Sequence, residues 1–209
     1  MIKHLYVMRH ATTIFNEQGI LQGWCDSPLS TYGQAQTKKM AALLRQKQLH
    51  FDHVYASTLG RAQQTAHLMV EGMTSACEAT RPGIIGLDAL REVRFGSLEK
   101  KPTSQAPKAP FGDALVAFGG ERELDAQQRI CSCLTQIMQK PDHHTVLAIS
   151  HGAISMLFYE SAQHAEAANV SRNEWPSNAS IIHYEYNGAV FCATEILEEN
   201  FDDIYYLLR

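Results

Sequence analysis

The chain has 209 residues, 45% of them hydrophobic and 19% charged, with a formal net charge of −4. That is enough chain to bury a substantial core. The slight negative balance supplies no global attraction to nucleic acid or an anionic membrane, so any anion site has to come from local clustering of cations.

The five cysteines, Cys25, Cys77, Cys131, Cys133 and Cys192, are odd in number and form no CxxC. A disulfide framework or a zinc knuckle is not expected from them, and they read as small buried hydrophobes in a reducing compartment. The apolar start runs into Arg9 too soon for a signal peptide. No apolar run approaches the roughly 20 residues of a spanning helix. The expected location is the cytoplasm, without a membrane partner.

In chain order, residues 2–8 (IKHLYVM) form a short apolar run that predicts a buried strand, ending at Arg9-His10. A loop with Gly19, Gly23 and Pro28 follows over 17–30. Residues 31–48 predict a helix, with Met40, Leu43 and Leu44 on one face. Residues 51–56 predict a strand, after which Ser57-Thr58 are expected to cap the next helix. In that helix Leu59, Ala62, Ala66, Met69, Val70 and Met73 step by three and four, with Arg61 in the first turn.

Residues 72–82 read as connecting chain and 83–90 as a weaker strand. Residues 90–99 (LREVRFGSLE) read as a charged loop. A Pro-rich insertion at about 100–120 carries Pro102, Pro107 and Pro110 and predicts irregular chain. A helix is expected over 122–139 and a second buried strand over 144–149 (HTVLAI). That strand ends in Ser150-His151-Gly152, and helix is expected from Ala153. Residues 180–186 and 189–197 flank Asn187-Gly188, a two-residue hairpin signal. The acidic-then-apolar end, 198–209, has no assignment; its IYYLL reads as a packing strip or a homodimer contact, and the oligomeric state is not legible. The whole chain, 1–209, reads as a single domain. Alternating strands and helices predict an α/β sandwich with a mostly parallel sheet plus an antiparallel pair near the C-terminus.

Two histidines at two strand ends carry the chemistry. The carboxyl ends of parallel strands share one edge, where ligands bind, so His10 and His151 can meet there. Each alone reads equally as an ordinary satisfied histidine. A metal site is a further reading, but the neighbours Arg9, Ser150 and Gly152 are poor ligands and suit an anion better. Arg9, with Arg61 at a helix N-terminus, can grip a phosphate or carboxylate, with Asn16 and Thr13 adding hydrogen bonds. Neighbouring cations disfavour the imidazolium, leaving His10 neutral and able to attack phosphorus. The leaving alcohol then needs an acid; Glu92 is the candidate, with Glu99 and Asp88 nearly as good.

The segments RHATTIFN, LQGWCDSPLSTYGQAQ, YASTLGRAQQTA, LREVRFGSLE and AISHGAI, in that order, resemble the histidine phosphatase superfamily on its phosphoglycerate mutase-like branch. The resemblance spans about residues 2–154, with Asn178-Ala179-Ser180 beyond. It implies a three-layer α/β/α sandwich and a site in which His10 becomes phosphohistidine. Arg9, Arg61 and His151 are then implied to hold the phosphoryl group, with Asn16 and Thr13 assisting. Glu92 is implied as the acid and later the base, with Gln22, Gly23 and Gly152 on the substrate side. It implies no metal and no cofactor, and a small phosphate ester as partner. Departures are Ala11 for the family's glycine, Thr12 for a frequent acidic residue, and Gly120-Glu121-Arg122 for Gly-Glu-Ser.

Glycolytic mutases of the family carry a longer insertion after the acid, with an Arg-Tyr-Gly-type signature. This chain has only Lys100, Lys101 and Lys108 there. The preferred expectation is a metal-independent phosphatase working through phosphohistidine. A cofactor-dependent phosphoglycerate mutase and a non-catalytic module that binds a phosphorylated ligand remain as alternatives, and the substrate is not legible.

Overall fold

The computed structural model describes residues 1–74, 82–108, 111–165 and 177–207. Cys77 and Pro110, and parts of the expected connecting and C-terminal stretches, lie outside the described residues.

The elements follow as β1 (Lys3–Arg9), α1 (Ile14–Glu17), α2 (Thr31–Gln46), β2 (His53–Ser57), α3 (Gly60–Met73), β3 (Ile84–Leu87), α4 (Glu123–Gln139), β4 (Thr145–Ser150), α5 (Gly152–Ser161), β5 (Gln163–His164), β6 (Ile181–Tyr186), β7 (Phe191–Leu197) and α6 (Asp202–Leu207). Seven strands form one sheet in the order β3-β2-β4-β1-β6-β7-β5. β1, β2, β3 and β4 pair in parallel, β6 pairs antiparallel with β1 and β7, and β5 adds parallel to β7.

The apolar runs of β1 and β4 are continuous because both sheet faces are covered. Side chains alternate across a strand, so Leu5 and Val7 join Val146 and Ala148 in a core with Ile130, Leu134 and Ile137 of α4 and Ile154 and Leu157 of α5. Tyr6 and Met8 join Leu147 and Ile149 on the other face, against Met40 and Leu44 of α2 and Ala62, Ala66 and Met69 of α3. Each such fully buried aliphatic side chain contributes about 1.5–3 kcal/mol, which makes a three-layer α/β/α arrangement the way to bury both stripes.

Several expectations change in detail. A short helix, α1, occupies chain that had no assignment, between the first strand and the expected loop. Thr13 accepts from the Asn16 amide while the Asn16 side chain accepts from Thr13 N, a capping box that was present in the sequence. Ser57 and Thr58 do not cap α3. Its N-cap is Leu59, with no side-chain bond, and Ser57 Oγ is turned toward His151 instead.

The hairpin turn is longer than two residues. Tyr186 pairs with Phe191, and Asn187 Oδ1 accepts from the amides of both Ala189 and Val190, holding a four-residue loop. β6 lies in the interior of the sheet, between β1 and β7. The C-terminal end forms α6, tied to α2 where Lys39 Nζ donates to Asp203 Oδ1 at 2.8 Å.

The Pro-rich stretch is irregular as expected, with single 3₁₀ turns at Thr103–Gln105 and Val116–Phe118. Its start is nonetheless strapped to residues 19–21: Lys100 N donates to Leu21 O, Leu21 N to Lys101 O and Thr103 N to Gly19 O, each at 2.8 Å. Leu115 from the same stretch is fully buried.

Helix α2 approaches the chain leaving β1 so closely that a Cβ on Gly33 would lie 1.9 Å from Thr12 O. Helix propensity favours alanine over glycine by about 1 kcal/mol. The contact reverses that sign, so Gly33→Ala should destabilise the fold by about 1–3 kcal/mol. The shift of the urea midpoint measures it; a rise would mean that α2 does not abut Thr12.

Candidate active site

The parallel register of β1 and β4 sets Arg9 opposite Ser150. The next residue on each strand is a histidine, and their ring centroids lie 5.1 Å apart at 62°. His10 N donates to Ser150 O at 2.9 Å, so both strands turn off the sheet together. His10 is 4% exposed and His151 fully buried.

His10 Nδ1 lies 2.8 Å from Ala11 O, and its Nε2 lies 3.3 Å from Arg61 Nε. A carbonyl only accepts and a guanidinium only donates. The proton is therefore on Nδ1, and Nε2 presents its lone pair. Burial pushes the His10 pKa well below its ordinary value, and Arg61 and Arg9 push it further; the Ala11 hydrogen bond opposes them. His151 is lowered in the same way, by burial first and then by Arg61 and His10. Its Nε2 sits 2.8 Å from Ser57 Oγ, and its buried Nδ1 has no hydrogen-bond partner among the described residues.

Arg61 is 1% exposed. Besides His10, its Nη1 donates to Cys25 O and Asp26 Oδ1, both at 2.9 Å, and its Nη2 to Gly23 O at 2.7 Å. Asp26 Oδ1 also takes the Arg61 backbone amide at 3.4 Å, serving the start of α3 that has no cap of its own. The Arg9 guanidinium passes over the first turn of α5, where a Cβ on Gly152 would be 3.2 Å from Arg9 Nε. Burial lowers the Arg9 pKa and the nearby Glu92 opposes that.

Glu92 is 8% exposed. Its Oε1 accepts from Ile154 N at 2.8 Å and Val93 N at 2.9 Å, and its Oε2 from Ala153 N at 3.1 Å. It thus occupies the open N-terminus of α5, where orphan amides and the helix dipole favour a carboxylate. The two rival acids are placed elsewhere. Asp88 is exposed and paired with Arg91 at 2.8 Å, and Glu99 accepts from the amides of Trp24, Cys25 and Phe95.

The expected helpers are close by but partly occupied with one another. The Thr13 hydroxyl donates to Asn16 Oδ1 at 2.9 Å and accepts from Gln22 Nε2 at 2.9 Å. Its proton is directed to Asn16 Oδ1. Asn178 Nδ2 bonds the His10 carbonyl at 2.9 Å, fixing the backbone beneath the ring. Ala11 is fully buried and is not among the described residues with positive φ. The family's glycine is therefore replaced without backbone strain.

Among the aromatic residues nearby, Phe95 is buried against Phe111, with centroids 5.6 Å apart. Trp24 stays 38% exposed, donating from Nε1 to Glu92 O at 2.8 Å.

Sequence reasoning missed Ser57, Asp26 and Arg129. The Arg129 Nη1 donates to Ala89 O and Arg91 O and its Nη2 to Glu92 O, while Nε and Nη2 grip Glu121. No local pattern marks these residues, because each acts on a segment distant in sequence.

One described group has ligand atoms close enough for a metal: His53, Asp142 and His143, within 4.8 Å of one another. It lies at the far ends of β2 and β4 from His10. The two rings are stacked 3.7 Å apart at 17° and both bond Asp142, His53 Nε2 to Oδ2 and His143 Nδ1 to Oδ1.

The model of the histidine phosphatase superfamily (branch 1) matches residues 5–196, and the chain belongs to that superfamily. A protein named probable phosphoglycerate mutase GpmB from Enterobacter sp. (strain 638) is 29% identical over 97% of this chain and 94% of its own. Among solved structures, phosphoglycerate mutase from Bacillus anthracis str. Sterne superposes with a TM-score of 0.77 at 22% identity, over 99% of this chain and 96% of its own. A mycobacterial glucosyl-3-phosphoglycerate phosphatase superposes at 0.65 and 22%, over 90% and 92%. The two structures establish the fold. Members of the superfamily are enzymes, mutases or phosphatases.

The two neutral imidazoles make stability depend on pH. Unfolded, they titrate near 6.5; folded, well below it. Below about 6.5 the unfolded chain binds more protons, so their contribution is complete above that pH and lost as pH falls. The urea midpoint should drop between pH 7.5 and 5.5, and His151→Asn should flatten that drop. An unchanged slope in the variant would mean that His151 is not a source of it.

Proposed function

We propose that the protein is a metal-independent phosphatase that hydrolyses small phosphomonoesters through a phosphohistidine at His10, with all 209 residues serving one catalytic domain. The observation that carries this reading is the tautomer of His10. Nδ1–H is committed to Ala11 O, and Nε2 is deprotonated beside Arg61.

In the first half-reaction Nε2 attacks phosphorus, the P–N bond forms and the P–O bond to the alcohol breaks. Arg9, Arg61 and His151 hold the non-bridging oxygens as charge shifts among them. Among the described residues four of the five Arg61 N–H donors are taken, which leaves one on Nη2 for a phosphoryl oxygen. If Ser57 Oγ–H donates to His151 Nε2, the unpartnered Nδ1 carries the proton and donates it to the phosphoryl group as a neutral imidazole. The amide of Asn16 and the side chain of Gln22 lie toward the substrate.

Glu92 gives the leaving oxygen its proton, from Oε2, which accepts one amide where Oε1 accepts two. In the second half-reaction the Glu92 carboxylate takes a proton from water, the water oxygen attacks phosphorus, and the P–N bond returns its electrons to Nε2. Gly152 leaves room for Arg9, and Gly23 leaves room for the Glu99 carboxylate while its carbonyl accepts from Arg61 Nη2.

A second reading, phosphoglycerate mutase, is favoured by the name of the GpmB relative. Against it, Lys100, Lys101 and Lys108 are all exposed, which supports a site without a dedicated grip for the substrate carboxylate from that segment.

Phosphate release from a panel of phosphomonoesters with a chelator present, with phosphoglycerate interconversion followed in parallel, decides between them. Release across several esters is expected; interconversion without net release would establish the mutase, and no turnover with ligand binding retained would leave a binding module. His10→Ala should abolish turnover with the fold intact, and residual activity would rule out His10 as nucleophile. Glu92→Gln should slow alkyl phosphates by about 10²–10⁴-fold and aryl phosphates with good leaving groups much less; equal losses would assign the acid elsewhere.

A further inference from the structure

Glu99 lies outside the constellation described above, yet its carboxylate binds three backbone amides from both walls of the site. Oε1 accepts from Trp24 N at 3.0 Å and Phe95 N at 3.2 Å, and Oε2 accepts from Cys25 N at 2.6 Å. The carbonyls of Gly23 and Cys25, one residue before and one residue within this bonded pair, accept from Arg61 Nη2 and Nη1. Arg61 Nε then faces His10 Nε2. An unbroken path of hydrogen bonds thus runs from Glu99 through the loop at 23–25 to the guanidinium and the nucleophile.

The same carboxylate touches the acid's side through Phe95 N, and Trp24 Nε1 reaches Glu92 O. The two walls are therefore tied at two points. The approach is tight: Gly23 has φ +73°, and a Cβ there would lie 2.7 Å from Glu99 Oε1. Only glycine both takes this backbone conformation readily and leaves room for the carboxylate.

We infer that Glu99 is the positioning residue for Arg61: by fixing the amides of Trp24 and Cys25, it aims the carbonyls that orient the guanidinium toward His10 and the phosphoryl group. The inference rests on the phosphate-gripping role of Arg61 proposed above. It assigns Glu99 a positioning role and no proton transfer.

Glutamine has one accepting oxygen where the carboxylate has two, so Glu99→Gln leaves at least one of the three amides unbonded. A misplacement of about 1 Å costs roughly a hundredfold in turnover. The experiment compares Glu99→Gln, Arg61→Lys and the double variant for kcat/KM on esters of good and poor leaving groups, and for inhibition by orthovanadate. Glu99→Gln should weaken vanadate and lower kcat/KM by roughly tenfold to a hundredfold, equally for both leaving groups. That loss should largely vanish in the Arg61→Lys background, since residues acting through one another are not additive.

Full additivity, a loss confined to poor leaving groups, or no loss would each overturn the inference. An Arg61→Lys variant with unchanged vanadate inhibition and turnover would instead overturn the reading of Arg61 itself. If thermal unfolding shows that Glu99→Gln does not fold, Gly23→Ala, which disturbs the same contact from the loop side, takes its place in the cycle with the same outcomes.

Discussion

A guanidinium held against an imidazole in buried space is the interaction on which the rest of this site depends. Arg61 is nearly inaccessible to water and sits 3.3 Å from His10 Nε2. Burial first, and then this cation, disfavour a positive charge on the ring, so it stays neutral with its Nε2 lone pair toward Arg61 Nε. Such a cation needs compensation, because an isolated buried charge is costly. Asp26 and the carbonyls of Gly23 and Cys25 provide it. The loop at 23–26 is therefore the solvent shell of Arg61, built from peptide groups.

The other wall is assembled by the same means. Helix α5 starts at the end of β4 without a cap from its own chain neighbourhood. Glu92 supplies it, and Arg129 grips the carbonyls of Ala89, Arg91 and Glu92 from behind. The carboxylate is thereby fixed near Arg9 on one side and the helix amides on the other. Capping α5 and holding the Glu92 carboxylate become one structural task, so a change that loosens the helix start also moves that carboxylate.

Membership of the histidine phosphatase superfamily and the shared fold place the chemistry but not the substrate, since one fold serves many reactions. The segment after Glu92 is rich in proline, and its start is strapped along residues 19–21, with Lys100, Lys101 and Lys108 turned to water. Ala11 in place of glycine lies beneath the site with ordinary backbone geometry.

By itself the sequence determined what repeats locally. The apolar runs ending at Arg9 and Ser150, the three-and-four stepping of α3 and α4, and the five ordered segments around His10, Arg61, Glu92 and His151 made the sheet, the layers and the principal site residues legible. The tertiary structure alone decided what rests on contacts between distant segments. Ser57 reads locally as a helix cap, and the pairing of β2 with β4 sends it to His151 instead. Glu99 and Glu92 are indistinguishable as acids in one charged loop; one meets the amides of α5 and the other those of residues 24, 25 and 95. Periodicity and capping report on neighbours within a few residues, whereas a hydrogen bond across the fold depends on where two chains are brought together.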